Sequence, residues 1–367
     1  MEWVRLGELV DIKTGKLNAN AAVPNGRYPF FTTAQEISYI DSYSYDDEVV
    51  LVAGNGDLNV KYYEGKFDAY QRTYILTKKE NVELNLKFLY FFMSDYVKIL
   101  RSQSIGGVIK YIKLENLTEA KIPLLSFDQQ TIIVDILNKA ESLKEFRKEQ
   151  IQAYDDLIVS LFIKMFGNPN YNRLKLELKK LGVLGKWKSG GTPKRSNREY
   201  YKGNIPWITS GELNEMFIED STEHINEIAL ENSSTKIVPI GSLLLGMYDS
   251  AGLKSSITTR VVTTNQAIAF SQLNEDLVNT IYVYYCIQLM RNNLLTKQRG
   301  VRQKNFNLSM IRDIDIPVPP IELQNKFADY VIKIEEEKKK LEDSLAELET
   351  LFDALMQEAF SGNLFKD

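Results

Sequence analysis

The strongest constraint on this chain is that it says the same thing twice. Residues 104–166 align with 298–360 without a gap. Ile122-Pro123 falls on Ile316-Pro317 and Gln130 on Gln324, a shift of 194 positions that also carries Gly106 onto Gly300 and Lys110 onto Lys304. Repetition at so long a period is a duplication of a domain together with the helix that follows it, not a solenoid array. At 367 residues and 44% hydrophobic, the chain is long and apolar enough to bury two cores of ordinary size.

Composition excludes several classes. No stretch approaches the ~18 uncharged apolar residues of a membrane span, so the chain reads as soluble. The opening MEWVRLGELV lacks a basic region followed by an apolar run, so no signal peptide is expected. One cysteine, Cys286, rules out an internal disulfide framework and makes a cytoplasmic location the default. With one histidine, His224, a zinc site built on Cys and His is excluded, and neither a metal nor a cofactor is expected. His224 stands in a polar stretch and reads as a surface side chain. The net charge of −4 means that affinity for nucleic acid must come from local basic faces.

The repeat sets out an α+β chain in four parts: a first domain over 1–125, a long helix over 126–169, a second domain over 170–320, and a second long helix with its tail over 321–367. In the first domain, strand-like runs at 48–53 and 72–76 flank turn material at 54–57, and an apolar helical piece follows at 84–100. Ser126 and Gln129 form a capping box for the first long helix, which should stop at Phe166 before Gly167 and Pro169. Ile205-Pro206-Trp207-Ile208-Thr209 echoes Tyr28-Pro29-Phe30-Phe31-Thr32 at a shift of 177, and 242–246 echoes the first strand at about 193. Roughly sixteen extra residues therefore lie between Ser210 and Val238. The second helix enters through Pro317, Pro319 and Pro320 and should end before Gly362.

Both helices carry a coiled-coil seam. Steps of four and three give Ile133, Leu137, Ala140, Lys144, Arg147, Ile151, Tyr154, Ile158, Leu161 and Met165 in the first. In the second they give Phe327, Val331, Ile334, Lys338, Leu341, Leu345, Leu348, Phe352, Leu355 and Ala359, each 194 positions on. A seam of about forty residues is roughly 60 Å long and outruns any domain of this size, which favours mutual pairing over two helices packed separately. Antiparallel pairing would set the two domains at opposite ends of a two-helix rod with a pseudo-twofold axis and bring Phe360 back beside the first domain. With the helix centres opposed, facing residue numbers sum to 487, so that Lys144 faces Asp343 and Lys338 faces Glu149. Two similar readers on a fixed spacer suit a bipartite, asymmetric site on duplex DNA.

The chain resembles the specificity subunit of type I restriction-modification systems over its whole length. The resemblance rests on Ile122-Pro123 and Ile316-Pro317-Val318-Pro319-Pro320 followed by Gln130 and Gln324. It rests also on Leu6-Gly7 and Leu181-Gly182, on Ser189-Gly190-Gly191-Thr192-Pro193, on Phe166-Gly167-Asn168-Pro169, and on Ala359-Phe360-Ser361-Gly362. Thr14-Gly15-Lys16 departs from it by lacking the Thr-Pro of the second domain. The resemblance implies a subunit that is not itself an enzyme. Each half would hold a target recognition domain reading one part of a split double-stranded DNA site, and the helices would bind two adenine methyltransferase subunits, with restriction subunits optional.

Phosphate contacts need Lys or Arg, and base reading needs the forks of Arg, Asn or Gln. In the second domain the candidates are Lys188, Gly190, Thr192, Lys194, Arg195, Gln266, Arg299, Arg302, Gln303, Lys304 and Asn305, in basic clusters that only Glu199 opposes. The glycines are expected to let backbone amides approach phosphate. In the first domain they are Lys16, Gln71, Arg72, Gln103, Gly106 and Lys110. Such charges could instead simply solvate loops.

Two catalytic look-alikes need weighing. Asn168-Pro169-Asn170-Tyr171 approaches the Asn-Pro-Pro-Tyr motif of adenine methyltransferases, but it lacks the second proline and sits where a helix must end. Asp57 with Glu64-Gly65-Lys66 mimics a metal-dependent nuclease signature. No G-x-x-x-x-G-K-[ST] loop exists to bind ATP. Against DNA recognition stand two other readings: an enzyme with a duplicated accessory module, and a coiled-coil scaffold that binds no DNA.

Overall fold

A computed structural model describes residues 2–248, 252–296, 305–361 and 364. The chain folds as two compact units, one of Met1–Glu149 with Glu342–Asp367 and the other of Gln150–Leu341.

The first unit is organised by the strand Tyr45–Ala53, whose run Val49-Val50-Leu51-Val52 is apolar on both faces and therefore central. Alternation sends Val50 and Val52 to one side, against Leu76 and helix Leu86–Gln103, and Val49 and Leu51 to the other, against Phe31, Phe67 and Ile75. Antiparallel partners Val60–Ala69 and Thr73–Lys78 flank it, Val10–Thr14 closes one edge, and Tyr28–Phe31 joins parallel to Val60–Ala69 with Ser38–Ile40 outside it. Trp3–Arg5 and Lys121–Pro123 form a separate two-stranded clasp.

The second unit repeats the plan with more pieces. Leu243–Gly246 is central to a five-stranded sheet, Leu243 and Leu245 facing one core and Leu244 another. Ile205–Ile208 runs parallel to Val262–Thr264, as Tyr28–Phe31 does to its partner, and pairs antiparallel with His224–Ile225. The extra residues located from the growing shift hold strand Phe217–Ile218 and helix Glu227–Glu231. Glu177–Lys180 and Asp315–Val318 form the equivalent clasp.

The two long helices are Phe127–Phe166 and Ile321–Ser361. The capping box forms as expected: Gln129 N donates to Ser126 Oγ (3.3 Å) and Ser126 N to Gln129 Oε1 (3.1 Å). Gly167 takes φ +72° just past the last turn. In the first unit the start of the first helix (Ile133, Leu137) and the end of the second (Met356, Ala359, Phe360) enter one core, with Phe360 5.4 Å from Phe88 between ring centroids. In the second unit the relation is reversed: Phe162 and Phe166 near the end of the first helix pack edge-to-face with Phe327 near the start of the second. The pairing is thus antiparallel, and every seam position is buried or partly buried. Phe360 thus lies against the first domain, as expected, and Met1 lies outside the described residues.

The register differs from the one expected. Lys338 Nζ meets Asp155 Oδ1 at 2.6 Å and Glu335 Oε2 at 3.7 Å, and Lys144 Nζ lies 4.0 Å from the Phe352 ring centroid. Asp155 stands six positions beyond the expected Glu149, an axial displacement of about 9 Å. The reason is that the aromatic clusters at the helix ends, not the helix midpoints, fix the alignment. A cation over an aromatic face is also a sufficient partner for Lys144.

Candidate nucleic-acid interface

In the first unit four loop segments are tied in series at one end of the strands. Gln71 N donates to Leu17 O (2.9 Å), Gly54 N to Arg72 O (2.8 Å), Ile112 N to Gly54 O (2.9 Å) and Gly56 N to Lys110 O (2.9 Å). Lys16, Gln71, Arg72 and Lys110, all exposed, therefore stand on neighbouring loops despite spanning nearly the whole domain in sequence. Gln71 Nε2 donates to Asn18 Oδ1 (3.0 Å), which adds Asn18 to the surface. Gln103, at the end of its helix, accepts from Asn116 Nδ2 (3.1 Å). Gly106 has φ +119°, and a Cβ there would meet Ile109 O at 2.6 Å, so the loop requires glycine.

The corresponding turn of the second unit is built on Gly190 and Gly191. Both are buried, and their amides are bonded to Ile268 O (3.1 Å) and Thr264 O (3.0 Å). The expectation that they would free amides for phosphate is therefore corrected. Their purpose is close packing, since a Cβ on Gly190 would lie 2.2 Å from Thr264 O, just as one on Gly15 would lie 2.1 Å from Ala69 O. Thr192 Oγ1 hydrogen-bonds to Gln266 Oε1, which joins two candidates 74 residues apart. Lys188 and Lys194 are exposed.

Arg195 is not a free fork. Its Nη2 donates to Glu223 Oε2 (2.8 Å), and its guanidinium lies 4.5 Å from the Tyr201 ring and 4.7 Å from the Trp207 ring. The bond from Arg195 holds the Glu223 carboxyl below the usual range. Glu223 thus opposes the basic cluster alongside Glu199, which pairs with Lys202 (2.7 Å). No local signal pointed to Glu223, which lies 28 positions from its partner. Lys236, whose Nζ donates to Ser189 O (3.1 Å), was also missed. Arg299, Arg302, Gln303 and Lys304 lie outside the described residues. Asn305 is partly buried, and the next residue, Phe306, donates its amide to Met247 O (2.7 Å).

The catalytic look-alikes are structural. Asn168 Oδ1 accepts from Asn170 N (3.0 Å) and Asn170 Nδ2 donates to Leu289 O (3.0 Å), fastening the helix end to helix Thr280–Thr296. Asp57 pairs with Arg101 (2.9 Å), while Glu64 stands across the strand pair from Glu48. Among the described residues no group of three or more His, Cys, Asp or Glu could hold a metal, and no helix is long and apolar enough to cross a membrane. His224 is a partly exposed residue bonded to Asp220 Oδ1 (2.7 Å).

A mixed-sheet domain thus occurs twice in the chain, each time followed by a long helix, and the candidate polar residues of the first stand on its loops. Residues 1–153 and 174–350 match the type I restriction modification DNA specificity domain, and the chain belongs to that family. It is 41% identical over 157 residues to the type I restriction enzyme EcoDI specificity subunit of Escherichia coli, across 41% of this chain and 34% of that protein. It is 26% identical over 286 residues to the EcoR124I/EcoR124II specificity subunit of Escherichia coli, across 71% of this chain and 66% of that protein. The chain thus spans about a third of the first relative's length and just under two thirds of the second's. The crystal structure of the type I restriction-modification S subunit from M. genitalium has the same fold, with a TM-score of 0.62 at 17% identity over 98% of this chain and 96% of that one.

Proposed function

We propose that this chain is the non-catalytic DNA-reading subunit of a type I restriction-modification complex. The domains over 1–125 and 170–320 would each read one half of a bipartite, asymmetric site. The helices over 126–169 and 321–367 would space them and bind two adenine methyltransferase subunits, with restriction subunits optional. The observation that carries the reading is the gathering of Lys16, Gln71, Arg72 and Lys110 on tied loops at one end of the strands, on a chain whose family is that of DNA specificity domains.

Roles divide by chemistry. Lys16, Lys110, Lys188, Lys194, Arg299 and Lys304 contact phosphate, which needs charge but no fixed fork. Gln71, Arg72, Gln103, Thr192, Gln266, Arg302, Gln303 and Asn305 read base edges. Gly106, Gly190 and Arg195 shape the loops that carry them. The test is methylation mapping of the chain with its methyltransferase partner, together with duplex-DNA binding by the chain at several salt concentrations. A gapped site in two unequal halves and a steep salt slope are expected. Methyl transfer by the chain alone, or binding indifferent to sequence, would overturn the reading.

A further inference from the structure

The loop over 105–111 in the first unit has a chemistry that its basic surroundings do not explain. Val108 is 104% exposed and Ile109 63%, so two branched apolar side chains stand in water at the loop tip. They do not belong to any core cluster of the unit. The tip is nevertheless carried on a defined base. Ile105 N donates to Tyr111 O (3.0 Å) and Tyr111 N to Ile105 O (2.9 Å), and Gly56 N holds Lys110 O. Gly106 turns the chain in a conformation reserved for glycine. Lys110, the next residue, is one of the proposed phosphate contacts. In the sequence repeat, Val108 and Ile109 occupy the positions of Arg302 and Gln303, the best base-reading forks of the second half.

One loop position therefore carries two chemistries, forks in one half and small apolar groups in the other. The major groove offers a single apolar feature that distinguishes a base pair, the 5-methyl group of thymine, and apolar side chains recognise it by contact. We propose that Val108 and Ile109 read thymine in one half-site by packing against its methyl group. The inference rests on the DNA-reading role proposed above and adds the base and the contact. Lys110 anchors the neighbouring phosphate and the Ile105–Tyr111 pair keeps the tip aimed. At this loop position recognition depends on methyl burial in one half and on hydrogen bonds in the other, while Gln71, Arg72 and Gln103 add hydrogen bonds to the first half.

The experiment uses the full chain and duplexes carrying the mapped site, with thymines in each half replaced in turn by uracil, which keeps every hydrogen-bonding group and removes only the methyl. Uracil in one half-site should weaken wild-type binding about fourfold per contacted methyl. The doubly substituted Val108→Ala, Ile109→Ala variant should bind the thymine duplex more weakly by a similar factor and no longer distinguish uracil from thymine in that half. Its loss of affinity for duplexes with a changed base pair in the other half should persist, which shows that the variant is folded and bound. A wild type indifferent to uracil in both halves, or a variant that still discriminates, overturns the proposal. So does unstacking of a 2-aminopurine placed at the contacted step, which would make the tip an intercalating wedge. Failure of the wild type to bind the mapped duplex at all would instead remove the DNA-reading role on which the inference rests.

Discussion

Gln130 and Gln324, 194 positions apart, make the same three hydrogen bonds at the starts of the two long helices. Gln130 accepts from Asn85 N (2.8 Å) and donates to Glu83 O (3.2 Å) and Leu125 O (3.0 Å). Gln324 accepts from Asn279 N (2.9 Å) and donates to Leu277 O (3.3 Å) and Pro319 O (2.8 Å). Every partner is shifted by the same 194, and the two side chains are 3% and 0% exposed. Each glutamine fastens its long helix to the entrance of the shorter helix packed beside it.

That relationship gives the first prediction. Gln130→Leu keeps the bulk but leaves three backbone groups without the partner they have now, and Gln324→Leu does the same in the other unit. Each should cost about 2–4 kcal/mol, because a lost buried partner costs the desolvation of the group left behind. Urea unfolding of the two single variants should show matching losses; a loss below about 0.5 kcal/mol in either would contradict the fastening role.

Glycine substitutions should separate packing from mere flexibility. A Cβ on Gly190 would come within 2.2 Å of Thr264 O, whereas nothing lies within 4 Å of one on Gly211. Gly190→Ala should lower the thermal midpoint by several degrees, in line with a destabilisation of about 1–3 kcal/mol, while Gly211→Ala should leave it within about a degree.

The Lys338–Asp155 pair is partly buried, with side-chain exposures of 17% and 44%, and so should couple more strongly than a surface pair. A double-mutant cycle with Lys338→Met and Asp155→Asn should give a coupling of about 1 kcal/mol that shrinks in high salt. Lys338→Met with Glu149→Gln should give none, since Glu149 is not the partner.

Neighbouring basic residues should behave differently in DNA binding. Lys194 is exposed, so Lys194→Ala should lower the slope of log affinity against log salt by about one. Arg195 is held by Glu223, Tyr201 and Trp207, so Arg195→Ala should lower the thermal midpoint while changing the salt slope by much less.

Cys286 should be silent to thiol reagents. It is fully buried, and burial pushes its thiol well above the usual range. An aromatic disulfide reagent should react with it only after denaturation. The unfolded thiol ionises near pH ~8.5 while the folded one stays protonated, so the unfolded state binds fewer protons above that pH. Its contribution to stability is therefore complete below about pH 8.5 and falls as pH rises, and Cys286→Ala should flatten that part of the unfolding profile.

The duplication, the helix ends and the seam were legible in the linear chain because each depends on short-range rules. An uninterrupted offset reveals a repeat, Ser126 with Gln129 and then Gly167 mark a helix's limits, and four-three spacing marks a buried stripe. The gathering of Lys16, Gln71, Arg72 and Lys110 was visible only as a set of residue types, and strand pairing was needed to bring them to one end of the sheet. What lay wholly beyond the sequence were choices made between distant groups of equal local merit. Asp155 rather than Glu149 meets Lys338 because aromatic packing at the helix ends outweighs the alignment of their centres. Arg195 looked like a fork for DNA until the fold brought Glu223 and Trp207 against it. The Gly190 amide looked free until Ile268 took it. Local propensity acts over one or two turns and is written in order along the chain. The partner of a charge or an amide is settled by which long-range packing buries the most apolar surface, and that is decided only when the tertiary structure forms.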